Sequence, residues 1–140
     1  MNLFGAFGIS ASGLTAERLR LDVIANNLAN VSTTRTAEGG PFRRQYVVFA
    51  ERLRNSHGGS QYRGAGVRVA ALAEDQSQPR LVYKPDHPDA DEKGYVAYPN
   101  INITNEMVDM ITATRAYQAN ATALEAAKDT AQKALEIGRR

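Results

Sequence analysis

The chain has 140 residues, lacks cysteine and tryptophan, and contains 43% hydrophobic and 23% charged residues. This length suits one domain, which excludes a barrel enzyme or a two-domain dehydrogenase. The lack of cysteine excludes disulfides, thiolate metal sites and cysteine nucleophiles. The net charge of +2 is divided unevenly, because residues 1–70 hold nine basic and four acidic residues whereas residues 71–140 hold eight and eleven. Such opposite halves favour head-to-tail association, and the dispersed basic residues argue against nucleic-acid binding.

The first predicted element is a helix over residues 10–31. Leu14, Leu21 and Leu28 recur every seven residues, and Ile24 lies at a companion position of the same seam. Other apolar side chains lie off this seam, so the helix needs more than one neighbour. The residues before it lack the basic start and long apolar core of a cleavable signal peptide, and no apolar run in the chain is long enough to span a membrane.

Three asparagines, Asn26, Asn27 and Asn30, interrupt this helical pattern. Asparagine is a poor helix former because its amide competes for nearby backbone groups. One interpretation is a solvated face near the helix end. The interpretation that we favour is that these amides contact neighbouring subunits, where a buried polar contact fixes register. Asn120 raises the same question, and we expect the basic pair Arg43 and Arg44 to contact neighbours as well.

The middle of the chain reads as short strands and loops. Strands are predicted over residues 45–49, 67–72, 81–83 and 95–98. They would form a sheet of at most three or four strands, which has little to bury and would depend on neighbours.

No catalytic or metal site is predicted. Residues 89–94 begin like a calcium loop, but Lys93 takes a ligand position and Asn100 stands where the bidentate glutamate belongs. Residues 87–91 (HPDAD) could imitate a metal cluster, but a proline-bounded loop of this kind is typical of an exposed turn, and His57 has no adjacent ligand. No set of residues supplies nucleophile, base and orienting group together. We therefore expect neither an enzyme nor a cofactor, and a hydrolase using the acidic loop is a distant alternative.

The last predicted element is a helix over residues 105–137. One heptad line is formed by Met110, Tyr117, Leu124 and Ala131, and its companion line by Ala113, Asn120, Ala127 and Ala134. Small residues on this seam let a partner helix approach closely. We expect the first line to pack within the subunit against Leu14, Leu21, Ile24 and Leu28.

The length of this helix indicates an assembly. At ~1.5 Å per residue it would be roughly 50 Å long, whereas a compact globule of this size is about 37 Å across. Other chains would therefore have to cover the excess. The predicted class is α+β: an antiparallel-type coiled-coil inner domain of residues 1–35 and 105–140, with an irregular β-rich middle segment over residues 36–104.

Motifs at the two ends resemble one known family. Residues 10–15 (SASGLT) and 23–30 (VIANNLAN) resemble the N-terminal signature of bacterial flagellar basal-body rod and hook proteins. Residues 105–110 (NEMVDM) and 115–120 (RAYQAN) resemble the matching C-terminal signature. Within that family, residues 33–36 and 39–45 (TTRT, GGPFRRQ), and residues 94–96 and 99–102 (GYV, PNIN), resemble the proximal rod proteins.

The resemblance implies a structural role. Members of the family pair their terminal helices and stack helically into a drive shaft that transmits motor torque to the hook for motility. It implies as partners copies of this chain, other rod proteins, the rod-base adaptor near the membrane ring and the type III export apparatus. It also implies a periplasmic position in the rod, with export of the unfolded chain without signal cleavage. The alternative is a soluble helical adaptor or export chaperone that binds one partner through the same seam.

Overall fold

A computed structural model describes residues 3–54 and 63–138. In chain order the elements are α1 (Leu3–Ala29), β1 (Gln45–Arg54), β2 (Arg63–Glu74), β3 (Arg80–Tyr83), β4 (Tyr95–Tyr98) and α2 (Ile103–Gly138). Two long helices thus flank a small antiparallel strand region, which confirms the predicted α+β class.

Helix α1 begins at Leu3 rather than at residue 10, so the predicted start was wrong. The glycines in its first half lower helix propensity, but packing against other elements overrides such local preferences. Gly13 shows one such packing reason. A Cβ at this position would lie 2.9 Å from the side-chain nitrogen of Asn120 in α2, so a larger residue here would displace the Asn120 side chain.

Helix α2 runs over 36 residues and is capped by a residue just before it. The Asn102 side-chain oxygen accepts hydrogen bonds from the backbone nitrogens of Thr104 (3.0 Å) and Asn105 (3.3 Å). Asn102 is therefore the N-cap of α2.

The two helices pack against each other in antiparallel order. Gly13 lies beside Asn120, whereas Asn27, near the end of α1, bonds to Glu106 at the start of α2. Along α2 the buried and half-buried positions include Met110, Ala113, Tyr117, Asn120, Leu124, Ala127 and Ala131. This spacing of three and four residues is that of a coiled-coil seam.

The strands form two separate two-stranded antiparallel sheets, β1–β2 and β3–β4, rather than the single sheet that we expected. The β1–β2 hairpin is longer than predicted, with strands of 10 and 12 residues, and it packs along α1. The β3–β4 pair follows it in the chain but makes no ladder with it within the described ranges.

A β-bulge brings the hairpin close to α1. The register shifts between Glu51 and Leu53, opposite Gly66, which adopts a φ of +105°. A Cβ on Gly66 would overlap the Ser12 hydroxyl. That hydroxyl accepts a hydrogen bond from the Val67 backbone nitrogen (3.1 Å) and donates one to the Ile9 carbonyl (2.7 Å). The glycine therefore permits a direct hydrogen bond between helix and hairpin.

The hydrophobic core is thin. Among the described residues the buried apolar side chains are Ala16, Val23, Ile24, Val96 and Ala113. The chain exposes 10496 Å², whereas a compact monomer of this mass exposes roughly 7,100 Å². No helix within the described ranges combines the length and the hydropathy that crossing a membrane requires.

Candidate functional site

A buried carboxylate at the start of α2 organises the contact between the helices and the middle segment. Glu106 is only 1% exposed, although it lies in the first turn of the helix. Its Oε1 accepts a hydrogen bond of 2.5 Å from Nε of Arg44, which immediately precedes β1. Burying a carboxylate is unfavourable unless it is paired and hydrogen-bonded, and Arg44 supplies the pairing charge.

Asn27 completes the hydrogen bonding of this carboxylate from α1. Its side-chain nitrogen donates to Oε2 of Glu106 (3.1 Å) and to the backbone oxygen of Gln45 (2.7 Å). Its side-chain oxygen accepts from the backbone nitrogen of Gln45 (2.9 Å). The amide of Asn27 thus bonds the first residue of β1 as a neighbouring strand would. Asn27, Arg44 and Glu106, here called the polar junction, connect α1, β1 and α2.

Further charges extend the polar junction along the helices. Asp109 lies 3.5 Å from Nη2 of Arg44 and 3.6 Å from Nη2 of Arg20 on α1. Arg20 in turn lies 3.9 Å from Glu17. The result is a line of alternating charge between the helix pair and the start of the hairpin.

The turn after the hairpin is anchored beside the polar junction. The backbone nitrogen of Asp75 donates to the carbonyl of Arg44 (2.8 Å). A hydrogen bond from the backbone nitrogen of Ser77 (2.8 Å), reinforced by the Ser77 side chain, holds the pKa of the Asp75 carboxyl below its ordinary value. Both ends of the hairpin therefore meet at the same place.

The structure places Asn27, Arg44 and Asn120 in contacts within the subunit, and their contact with a neighbouring subunit stays a prediction. The Asn27 side chain is 1% exposed and each of its polar atoms is bonded within the chain. Arg44 likewise bonds to Glu106 and Asp109 of its own chain. Asn120 lies against Gly13, between the two helices. These three side chains hold the subunit together.

Of the three other expected contacts, Asn26 and Arg43 lie at the surface and Asn30 is half-buried. Asn26 is exposed, and its side-chain and backbone oxygens each accept a hydrogen bond from the Asn30 amide at 3.0 Å. Arg43 is exposed and donates to the side chain of Gln76 (2.7 Å). Their contact with a neighbouring subunit remains a prediction.

The eight expected seam residues all lie in less exposed positions. Ile24 is buried, and the others are half-buried: Leu14, Leu21, Leu28, Met110, Tyr117, Leu124 and Ala131. Beyond Ala131 the next seam residue, Ala134, is exposed, as is its neighbour Leu135, at 71%.

The outer surface of α2 carries large apolar side chains that its own chain does not cover. Ile103, Met107, Val108 and Ile111 are each about half exposed, and Ile137 near the other end is 76% exposed. Apolar groups clustered on one surface in this way mark a site of protein–protein interaction.

The acidic loop is bonded internally. Oδ1 of Asp91 accepts hydrogen bonds from the backbone nitrogens of Lys93 (2.9 Å) and Tyr95 (2.7 Å). Asp89 accepts one from the hydroxyl of Thr34 (2.8 Å) and lies 3.8 Å from Arg35. In the part of the chain that the structure describes, no group of three metal-ligating side chains is present.

Sequence reasoning missed the central role of Glu106. This residue was not among the candidate site residues predicted from the sequence. It stands seven residues before Ala113, on the companion line of the heptad seam, so a carboxylate was placed where an inward-facing residue belongs. A carboxylate at that position indicated a buried, paired carboxylate, but nothing in the sequence identified Arg44 and Asn27 as its partners.

Comparisons with known proteins agree with the features of both ends. Residues 7–35 match the family model described as flagella basal body rod protein, and residues 92–137 match the model described as flagellar basal body rod FlgEFG protein C-terminal. The chain is 48% identical to the flagellar basal-body rod protein FlgC of Borreliella burgdorferi, over 98% of each chain. It is 44% identical to that of Bacillus subtilis, over 99% of this chain and 100% of the relative. It is 41% identical to that of Escherichia coli O6:H1, over 99% of each.

Proposed function

The chain belongs to the FlgC family of flagellar basal-body rod proteins, and we propose that it forms the proximal rod by stacking helically on copies of itself and on other rod proteins. It is a structural subunit of the flagellar basal body that assembles with other rod components, and it is not an enzyme. The observation that supports helical stacking is the half-exposed apolar surface of α2. This surface stays uncovered although α2 already packs against α1 within the subunit.

Contacts between subunits give the uncovered surface a role. The large accessible area and the thin core indicate that one copy alone buries little apolar surface. Burial is worth about 25 cal/mol for each Å² of apolar surface removed from water. Stacking of helix pairs would bury Ile103, Met107 and Ile111, and would cover the end of α2 at Leu135.

We propose different roles in the rod for the terminal helices and for the middle segment. Residues 1–35 and 105–140 form the inner helical domain of the rod, and residues 36–104 bridge neighbouring subunits and resist torque. Asn26, Asn30, Arg43 and the apolar surface of α2 take part in the contacts. The polar junction would transmit load between the two parts, because it bonds α1, β1 and α2 together.

We also propose that the chain passes unfolded through the type III export apparatus without signal cleavage. It would then join the periplasmic part of the rod, above the adaptor at the membrane ring. The small number of buried apolar side chains supports this, since a chain with a thin core has a low free energy of unfolding before assembly.

The helix content and the mass of the isolated chain distinguish this proposal from the alternative of a soluble adaptor or chaperone. The two helices hold 27 and 36 of the 140 residues. We expect circular dichroism and light scattering at micromolar concentration to show a monomer whose helix content is far lower than these two helices would give. A compact monomer or dimer with full helicity would favour the adaptor, because its seam would already be covered.

A further inference from the structure

A pocket of about 360 Å³ opens between α1, the β1–β2 hairpin and α2. Its lining combines apolar side chains, two glycines and two polar groups: Ile9, Gly13, Ala16, Glu17, Phe49, Gly66, Val67 and Asn120. It lies away from the polar junction, and nothing in the proposed stacking of helices assigns it an occupant.

One carboxylate oxygen in this pocket is buried without a hydrogen bond. Oε2 of Glu17 accepts none from the described residues. The cation nearest to it in an ion pair is Arg20, whose Nη1 lies 3.9 Å away, beyond hydrogen-bonding distance. A carboxylate that lacks donors is unfavourable, and the Glu17 side chain is still 17% exposed, so a donor from outside the subunit can reach the carboxylate and stabilise it.

The balance of charge around Glu17 indicates that the donor group is positively charged. The line of ion pairs contains three carboxylates, Glu17, Asp109 and Glu106, but only two guanidiniums, Arg20 and Arg44. Its shortest contact is at Glu106 and its longest is at Glu17. The surplus negative charge therefore lies at the pocket.

We propose that this pocket binds an arginine side chain from the hairpin of an adjacent copy of this chain. Ile9, Phe49 and Val67 would surround the aliphatic stem, and Glu17 would receive the guanidinium. This inference rests on the proposed function, because it requires copies to be stacked. The proposed contact between copies lies outside the helical seam.

The hairpin supplies suitable arginines. Arg52 on β1 and Arg68 on β2 are exposed, and neither forms an ion pair within the described ranges. Arg68 follows Val67, which lines the pocket, and adjacent residues of a strand point to opposite faces. Arg68 therefore faces away from the pocket of its own chain and is free to enter that of another. A pocket on one surface and its ligand on another give a head-to-tail contact, which repeats as a helical filament.

Chemical cross-linking tests the contact in assembled rods. The natural chain has no cysteine, so the double variant Glu17→Cys with Arg68→Cys introduces the only two thiols. It is expressed in a flagellated bacterium whose own FlgC gene is deleted, and isolated basal bodies are treated with a short bis-maleimide. We expect cross-linked dimers and higher multimers with this pair or with Glu17→Cys and Arg52→Cys. The matched control, Glu17→Cys with Lys128→Cys on the exposed side of α2, should give none.

Charge reversal gives a second test that does not depend on the cysteine variants. Glu17→Arg should abolish swimming, and adding Arg52→Glu and Arg68→Glu should restore it. Failure of both hairpin pairs to cross-link in basal bodies that contain the chain would overturn the inference and leave the proposed function intact. If the cysteine variants do not assemble, lack of restoration by charge reversal would overturn it. Absence of the natural chain from basal bodies would instead contradict the proposed function itself.

Discussion

At the scale of single residues, the polar junction explains why asparagine stands in the interior of α1. Asn27 is needed for its shape and its donors, since one amide bonds both backbone groups of Gln45 and a carboxylate oxygen of Glu106. The sequence marked this residue as unusual, because three asparagines in a helix require a reason. It could not show the reason, because Gln45 and Glu106 are 18 and 79 residues away in the chain.

We predict that Asn27→Leu destabilises the folded subunit by about 2–4 kcal/mol, because it leaves buried groups of Gln45 and Glu106 without partners. The chain carrying it should fail to restore swimming in cells that lack their own FlgC. The control Asp22→Leu changes an exposed residue of the same helix and should swim. Swimming by the Asn27 variant would show that the polar junction is dispensable.

A second residue-scale prediction concerns Gly66. Gly66→Ala places a Cβ against the Ser12 hydroxyl at a φ of +105°, whereas Gly39→Ala adds only the strain of a φ of +88°, with no atom within 4 Å. The first change should release the hairpin from α1 and abolish swimming, and the second should cost about 1 kcal/mol and permit it. The comparison is made by swimming in soft agar. Equal behaviour of the two variants would mean that the contact with Ser12 has no role.

At the scale of elements, the heptad residues lie at less exposed positions, whereas the observed helix ends differ from the predicted ones. The less exposed line of α2 runs through Met110, Tyr117 and Leu124, at the predicted spacing. The start of α1 was missed because local helix propensity, which the glycines at positions 5, 8 and 13 lower, does not include packing against α2 and the hairpin. The strand pairing was missed because alternation along one strand does not specify which strand lies beside it.

We predict that Leu124→Asp abolishes rod assembly and motility, because it places a charge in the half-buried seam between α1 and α2. Thr122→Asp is the control, since Thr122 is exposed on the same turn. Basal bodies are isolated from each strain and probed for the chain. Normal incorporation of the Leu124 variant would contradict the assignment of the seam.

At the scale of the whole molecule, the subunit is incomplete by itself. It exposes much more surface than a compact protein of its mass, and its largest helix carries half-exposed apolar residues. This property was foreseeable from the sequence, because a helix longer than the globule must extend beyond it. The opposite charges of the two halves were also visible, but which surfaces meet depends on three-dimensional placement, as the pocket at Glu17 illustrates.

The opposite charges of the two halves of the chain predict the effect of salt on association. Contacts between oppositely charged surfaces weaken as the ionic strength rises, because the Debye length falls from ~10 Å at 0.1 M to ~3 Å at 1 M. We therefore expect the association of purified subunits at concentrations well above micromolar, followed by light scattering, to decrease with added sodium chloride. Association that instead strengthens steadily with salt would assign the contacts to apolar burial alone.

The central claim, that the chain is a structural subunit of the rod, is tested most directly by the composition of isolated basal bodies. The chain is expressed in a bacterium whose own FlgC gene is deleted, and its basal bodies are purified and examined by mass spectrometry and electron microscopy. We predict that complete rods form, that the chain is present in them in several copies, and that the cells swim. Complete rods and swimming cells without the chain in the purified basal bodies would contradict the account.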